Sequence, residues 1–203
     1  MEYLGEWIGV AYAGRFLVAL AFVSALVATG AFWKGNLHLG RRAYLTHAGS
    51  TLGVIALIFV LFFGHRYEFQ YIWKHLNNDM PMRFVLSAFW GGQEGGFLLW
   101  MFWHNVLALF ILKRADDWQR EVMTVLSSIQ AFLGVMLLGI YFGDFQLGLD
   151  PFLLLREAPN NIGLPWTARA DYLTAIPQFA DGQGLNPLLQ NYWMTIHPPT
   201  LFL

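Results

Sequence analysis

Phe16-Leu-Val-Ala-Leu-Ala-Phe-Val-Ser-Ala-Leu-Val-Ala-Thr-Gly-Ala-Phe-Trp33 runs without a formal charge. A helix rises about 1.5 Å per residue, so this stretch can cross a hydrocarbon core of roughly 30 Å. Three more blocks share the property: Ala43 to His65, Gly95 up to Lys113, and Val122 to Gly143. They are too long for barrel strands and lack polar alternation. Backbone polar groups in lipid must be satisfied within the segment, so the blocks are expected to be helices. The predicted fold is an all-α polytopic transmembrane bundle of four helices plus the start of a fifth at about His197, with the N-terminus outside.

Composition agrees with that class. Of the 203 residues 57% are hydrophobic, 17% aromatic and 12% charged, against roughly 25% charged in soluble domains. The net charge of −1 says nothing about partners, and no basic patch suggests nucleic acid; the lipid bilayer is the expected surroundings. There is no cysteine, which rules out an internal disulfide framework, Cys-ligated zinc or a thiol redox pair. The sequence shows no internal repeat. The acidic start, Met1 to Glu6, argues against a cleaved signal peptide.

Lys34, Arg41 and Arg42 follow the first block closely, and Lys113, Arg114 and Arg120 follow the third. Arg15, Arg66, Lys74, Arg83, Arg156 and Arg169 are spread over longer segments. The denser basic loops are read as cytoplasmic. Residues 64–93 then form a first external segment and residues 144–196 a long external loop. The second is rich in turn residues (Asp150-Pro151, Ala158 to Gly163, Asp181 to Gly184) but interspersed with Phe, Leu, Trp and Tyr. A loop of that length and composition is expected to be an ordered lid rather than a linker.

Two constellations could carry chemistry. The first is Trp90-Gly-Gly-Gln-Glu-Gly-Gly-Phe-Leu-Leu-Trp100, at the entry to the third block. Its glycines permit tight turns and close approach by another group. Glu94, an acid at the mouth of an apolar helix, either caps that helix or belongs to a site. The bland reading is a cap with glycines that allow packing. The sharper one is a flat apolar ligand resting on Trp90, Gly91, Glu94, Gly95 and Trp100. The segment lacks the Gly-Lys-Ser/Thr ending of a phosphate loop.

The second is Asn186-Pro-Leu-Leu-Gln-Asn-Tyr-Trp-Met-Thr-Ile-His197-Pro-Pro-Thr-Leu-Phe-Leu203. Pro198 biases His197 to an extended backbone, and Pro199 suits the first turn of a helix. A lone histidine held in this way suits an axial metal or haem ligand, or simply an interfacial helix start. The apolar run stops within a few residues, so a longer protein is expected. Among the other histidines, His38, His47, His65 and His75 are read as structural. His104 is read as either an interhelical hydrogen-bonding group or a functional one.

The segment Trp90 to Trp100 resembles the Trp-Gly-x-x-Glu-Gly-Ser-x-Leu-Leu-Trp motif of CcmF-type proteins, haem lyase components of cytochrome c maturation. Gly96 stands where that family usually has Ser. Leu185-Asn-Pro-Leu-Leu-Gln190 and His197-Pro-Pro-Thr-Leu-Phe202 resemble two further family segments, in the same order. The resemblance implies a bacterial inner-membrane protein that receives b-type haem from the chaperone CcmE. With a CcmH-type partner, it supports haem attachment to apocytochrome c at the periplasmic face. It implies that His197 is an iron ligand of the substrate haem and that Asn186, Gln190, Pro198 and Pro199 shape the site. A second histidine, a tryptophan-rich segment and a second, structural b-type haem are implied for a downstream part. Alternatives are a CcsA-type haem exporter or assembly protein, a transporter or proton-channel subunit, or a purely structural subunit. No catalytic acid, base or nucleophile is assigned.

Overall fold

The computed structural model describes residues 4–114, 117–142 and 145–202. Asp144, where the long loop was expected to begin, and Leu203 lie outside them. Four long helices dominate: α1 (Ile8–Trp33), α2 (Leu37–Phe63), α5 (Gln93–Arg114) and α6 (Gln119–Val135). Short helices α3 (Gln70–His75) and α4 (Val85–Phe89) lie between α2 and α5. After α6 come a hairpin of β1 (Ile140–Phe142) and β2 (Phe145–Leu147), then α7 (Tyr172–Ala175) and α8 (Tyr192–Leu201). By length and composition α1, α2 and α5 can each cross a membrane. The chain is a multi-pass membrane protein of all-α class.

The bundle packs through small residues. Ala11, Gly14, Val18, Ala21, Ala25, Ala28 and Phe32 form one buried face of α1. Gly40, Tyr44, His47, Thr51, Val54, Ile58 and Leu61 form the matching face of α2. Both sets recur at alternating three- and four-residue steps, the spacing of one helix stripe. Lipid gives helices no hydrophobic drive toward each other, so backbones approach closely where side chains are small. A Cβ on Gly40 would meet the Phe32 ring at 2.8 Å, and one on Gly53 would meet Leu17 at 3.1 Å.

Helix boundaries differ from expectation in three places. α1 begins at Ile8 and α2 at Leu37, so Arg15, His38, Arg41 and Arg42 are helical and the first connection is only Lys34-Gly35-Asn36. Gly35 takes φ +77° there, and the Asn36 side chain caps α2 by accepting from the Leu39 amide at 3.1 Å. The fourth apolar block does not stay helical to Gly143. α6 stops at Val135, Gly139 adopts φ +56°, and Ile140 to Phe142 form a strand. Apolarity alone cannot separate a short strand from a helix. The last helix starts at Tyr192, capped by Asn191, so Pro198 and Pro199 lie inside it rather than at its start.

The two ends of the bundle are tied differently. At the short-loop end, Arg41 donates to Gln119 Oε1 at 3.0 and 2.5 Å, and Gln119 Nε2 donates to the Ile111 and Leu112 carbonyls at 3.1 and 3.3 Å. Arg120 caps the Trp33 carbonyl at 2.8 Å. Gln119, held by Arg41, and Arg120 thus complete carbonyls that the helix ends leave without partners.

The other end carries residues 4–7, 64–92 and 145–191. Gln70 N donates to Leu153 O at 2.8 Å and Leu155 N to Glu68 O at 2.8 Å, so the long loop pairs with the first. Gly14 of α1 lies against the ring of Phe152, which is fully buried. Arg15 reaches Asp150 at 2.7 Å and Glu157 at 2.5 Å, and Arg156 reaches Glu6 at 3.0 Å. Burial raises the Asp150 carboxyl above the usual range although Arg15 pulls it down. A small aromatic core of Leu155, Tyr172 and Phe179, backed by Trp73 and Trp166, holds the outer part of the long loop.

Candidate functional site

The segment Trp90 to Trp100 is a tight corner between α4 and α5. Trp90 ends α4, Gly91 and Gly92 turn the chain, and α5 begins at Gln93. The close approach expected at the glycines comes from the protein itself. A Cβ on Gly95 would collide with the Phe89 carbonyl and the Tyr71 hydroxyl. Tyr71 O–H donates to that same carbonyl. Gly91 lies against Leu185, with Leu185 Cδ1 at 2.8 Å from an added Cβ. Gly96 has open space beside it. Burial raises the Tyr71 phenol well above its ordinary value, with Glu94 adding to the effect. Glu94 sits in the first turn of α5, where the helix dipole favours an anion.

His75, read from sequence as structural, lies at this corner. Its Nδ1–H donates to the Tyr71 carbonyl at 2.8 Å, which leaves Nε2 unprotonated in the neutral ring. Nε2 faces Gly92, at 2.8 Å from an added Cβ. Burial lowers the His75 pKa below the ordinary histidine value. The only sequence signal was its place four residues after Tyr71.

Helix α8 docks on the corner. A proline has no N–H, so Pro198 leaves the Met194 carbonyl without its intrahelical donor. Trp90 Nε1–H fills that role at 2.7 Å. Ser87 and Thr195 share a hydroxyl–hydroxyl bond at 2.7 Å, and Trp100 packs on Phe202 with ring centroids 5.7 Å apart. Half-buried Pro198 and Pro199 lie between these contacts.

The opposite face of α8 is open. Trp193, His197 and Leu201 are spaced four residues apart and so line one stripe. Trp193 is 72% and Leu201 67% exposed, and His197 is exposed between them. Asn186 and Gln190 fix the turn that leads into α8: Asn186 Oδ1 accepts from Leu188 N at 3.0 Å, and Gln190 Nε2 donates to Leu185 O at 2.8 Å. His104 bonds within its own helix rather than between helices, accepting from Trp100 Nε1 at 3.1 Å.

The structure thus sets Trp90 against α8 and Trp100 against Phe202 at its end, keeps Gly91 beside Leu185 and Gly95 beside Phe89 and Tyr71, and leaves His197 on the far, exposed face of that helix. Among the described residues no cluster of three or more His, Asp or Glu could cage a metal ion. A haem iron needs less from a protein, because four of its ligands are the ring's own nitrogens. One exposed imidazole flanked by Trp193 and Leu201 fits a single axial position beside a flat apolar ring.

No family model matches the chain, and no solved structure matches it. It is 29% identical over 96% of its length to the cytochrome c-type biogenesis protein CcmF of Haemophilus influenzae, covering 28% of that protein. It is 28% identical over 94% of its length to the cytochrome c-type biogenesis protein NrfE of the same organism, covering 27% of it. To the cytochrome c-type biogenesis protein ccl1 of Rhodobacter capsulatus it is 28% identical over 94% of its length, covering 26%. The chain therefore spans about a quarter of the length of the curated relatives it matches. Over nearly all of its own length it is a homologue of the CcmF-type cytochrome c-type biogenesis proteins.

Proposed function

We propose that the chain is part of a cytochrome c maturation protein of the bacterial inner membrane, handling haem for attachment to apocytochrome c at the periplasmic face. The observation that carries this reading is the open Trp193–His197–Leu201 stripe on a helix fixed from behind by Trp90. Haem is a large flat ring with two carboxylates at one edge. A site where α8 meets the loops could cover the ring with aromatic and aliphatic side chains and leave the carboxylates near water. His197 would hold one axial position, and the Trp90–Met194 bond would keep the imidazole in place. The chemistry of thioether formation belongs to haem and the two apocytochrome thiols. The chain supplies position and orientation.

The same reading places residues 64–93 and 144–196 outside, where the haem chaperone CcmE, a CcmH-type partner and apocytochrome c could reach them. The basic residues of the two short loops would then face the cytoplasm. A second haem ligand and a structural b-type haem would come from parts of a longer protein. Reporter fusions test the topology. A reporter active only in the periplasm should work after Pro81 or Asn161 and be silent after Gly40. The reverse pattern contradicts an external site. The purified full-length protein, incubated with haem, should show a Soret band, and its absence would remove haem handling from the proposal.

A further inference from the structure

Away from the corner, four polar side chains meet inside the bundle: Tyr44 and His47 of α2, Asn105 of α5 and Gln130 of α6. Tyr44, His47 and Gln130 are fully buried, and Asn105 is 3% exposed. Gln130 is the hub. Its Nε2 donates to the Met101 carbonyl at 3.0 Å and lies 3.5 Å from Asn105 Oδ1. Tyr44 and His47 lie close enough to interact with its side chain, but outside hydrogen-bond geometry. Their rings lie 5.5 Å apart. Yet Tyr44 Oη, His47 Nε2, Asn105 Nδ2 and Gln130 Oε1 are all buried without a hydrogen-bond partner.

The neighbours of these groups fix what each orphan atom can do. His47 Nδ1 lies 2.9 Å from the Ala21 carbonyl, which can only accept. The proton is therefore on Nδ1, and Nε2 presents a lone pair. Gln130 must turn its NH₂ to the Met101 carbonyl, so its Oε1 is an acceptor. Asn105 turns its oxygen to the Gln130 NH₂, so its Nδ2 is a donor. The Tyr44 hydroxyl has a hydrogen to give. The inventory is two donors, Tyr44 and Asn105, and two acceptors, His47 and Gln130.

One water molecule has the complementary set, two acceptor sites and two hydrogens. Buried waters characteristically make two to four bonds to polar groups that would otherwise lack partners. Polar groups left unsatisfied in a membrane interior are especially costly. We propose that Tyr44, His47, Asn105 and Gln130 bind one ordered water at the junction of α2, α5 and α6. The water accepts from Tyr44 and Asn105 and donates to His47 Nε2 and Gln130 Oε1. Ala21 of α1 takes part through its bond to His47, so the site joins all four long helices.

A structure of the full-length protein, at a resolution that shows ordered solvent, tests this directly. The expected result is a density peak within hydrogen-bond distance of all four atoms. Absence of a peak, with Tyr44 bonded directly to Gln130, would overturn the proposal. Thermal unfolding of full-length variants gives a second test. Tyr44→Phe and Asn105→Leu share no direct bond among the described residues, and both neighbour Gln130, so a shared water adds to whatever coupling Gln130 carries. The melting-temperature loss of the double variant should be clearly smaller than the sum of the single losses. Additive losses would count against a shared water. If a variant does not fold, the density in the unaltered protein decides the matter.

Discussion

The corner at Trp90–Trp100 and helix α8 touch each other, yet one is closed and the other open. At the corner, the spaces beside Gly91 and Gly95 are taken up by Leu185, the Phe89 carbonyl and Tyr71. On α8, Trp193, His197 and Leu201 face outward with little protein against them. A glycine-rich motif and a histidine motif can both be taken for ligand sites, but they differ in the room they leave beside them. The corner is a closed footing, and the helix it supports presents the open face. The join between them is one carbonyl, Met194 O, which Pro198 leaves free and Trp90 occupies.

The largest effect should come from filling the closed side. Gly95→Val drives a branched side chain into the Phe89 backbone, which cannot rotate away as a side chain could. We expect a loss of more than about 3 kcal/mol, enough to deplete the folded protein. Gly96→Ala, one residue on in open space, should be neutral or slightly stabilising, as alanine favours a helix by about 0.5–1 kcal/mol. Thermal unfolding of the two variants separates them. Equal, mild effects would mean that the corner is not the footing described.

The join should give an intermediate effect. Trp90→Phe keeps most of the ring but leaves the Met194 carbonyl half-buried without a donor, a cost of about 1–3 kcal/mol. Pro198→Ala restores an N–H at the position that can bond that carbonyl within the helix. Trp90→Phe should therefore cost less in a Pro198→Ala background than alone. A double-mutant cycle with purely additive effects would break the proposed link between corner and helix.

The smallest effect concerns His75, wedged beside Gly92. Burial holds its folded-state pKa below the ordinary value, so the unfolded chain binds a proton more readily. By linkage the contribution is present above the ordinary histidine pKa and is lost as pH falls through the lower folded value. Between about pH 7 and pH 5 the unaltered protein should lose melting temperature relative to His75→Gln. Parallel pH profiles would mean that His75 does not titrate against the corner.

Much of the architecture was legible as charge-free length. Phe16–Trp33 and the other blocks announce helices, and the small residues of α1 and α2 repeat at packing intervals. The end of α6 was not legible. Val135, Met136, Leu137 and Leu138 are as apolar as the helix before them, and only Gly139 marks the reversal. The start of α8 is hidden in the sequence for a physical reason. Pro198 argues against a helix passing through it, and the donor that makes this tolerable is Trp90, far away in sequence. His75 illustrates the same limit, since its place over Gly92 depends on how α3 packs against the corner. The motifs Trp90–Trp100 and Asn186–Phe202 could be picked out from sequence, but their division into footing and presenting face could not.

His197, on the open stripe of α8, is the residue proposed to ligate haem during cytochrome c maturation. The most direct test replaces His197 with Ala in the full-length protein and measures haem occupancy by optical spectrum beside holocytochrome c yield in cells. Membrane insertion should be normal, the Soret contribution from the substrate haem reduced and the holocytochrome yield lower, and added imidazole should partly restore the spectrum. Unchanged haem occupancy and unchanged yield would contradict that role and leave His197 as an ordinary exposed residue of the helix.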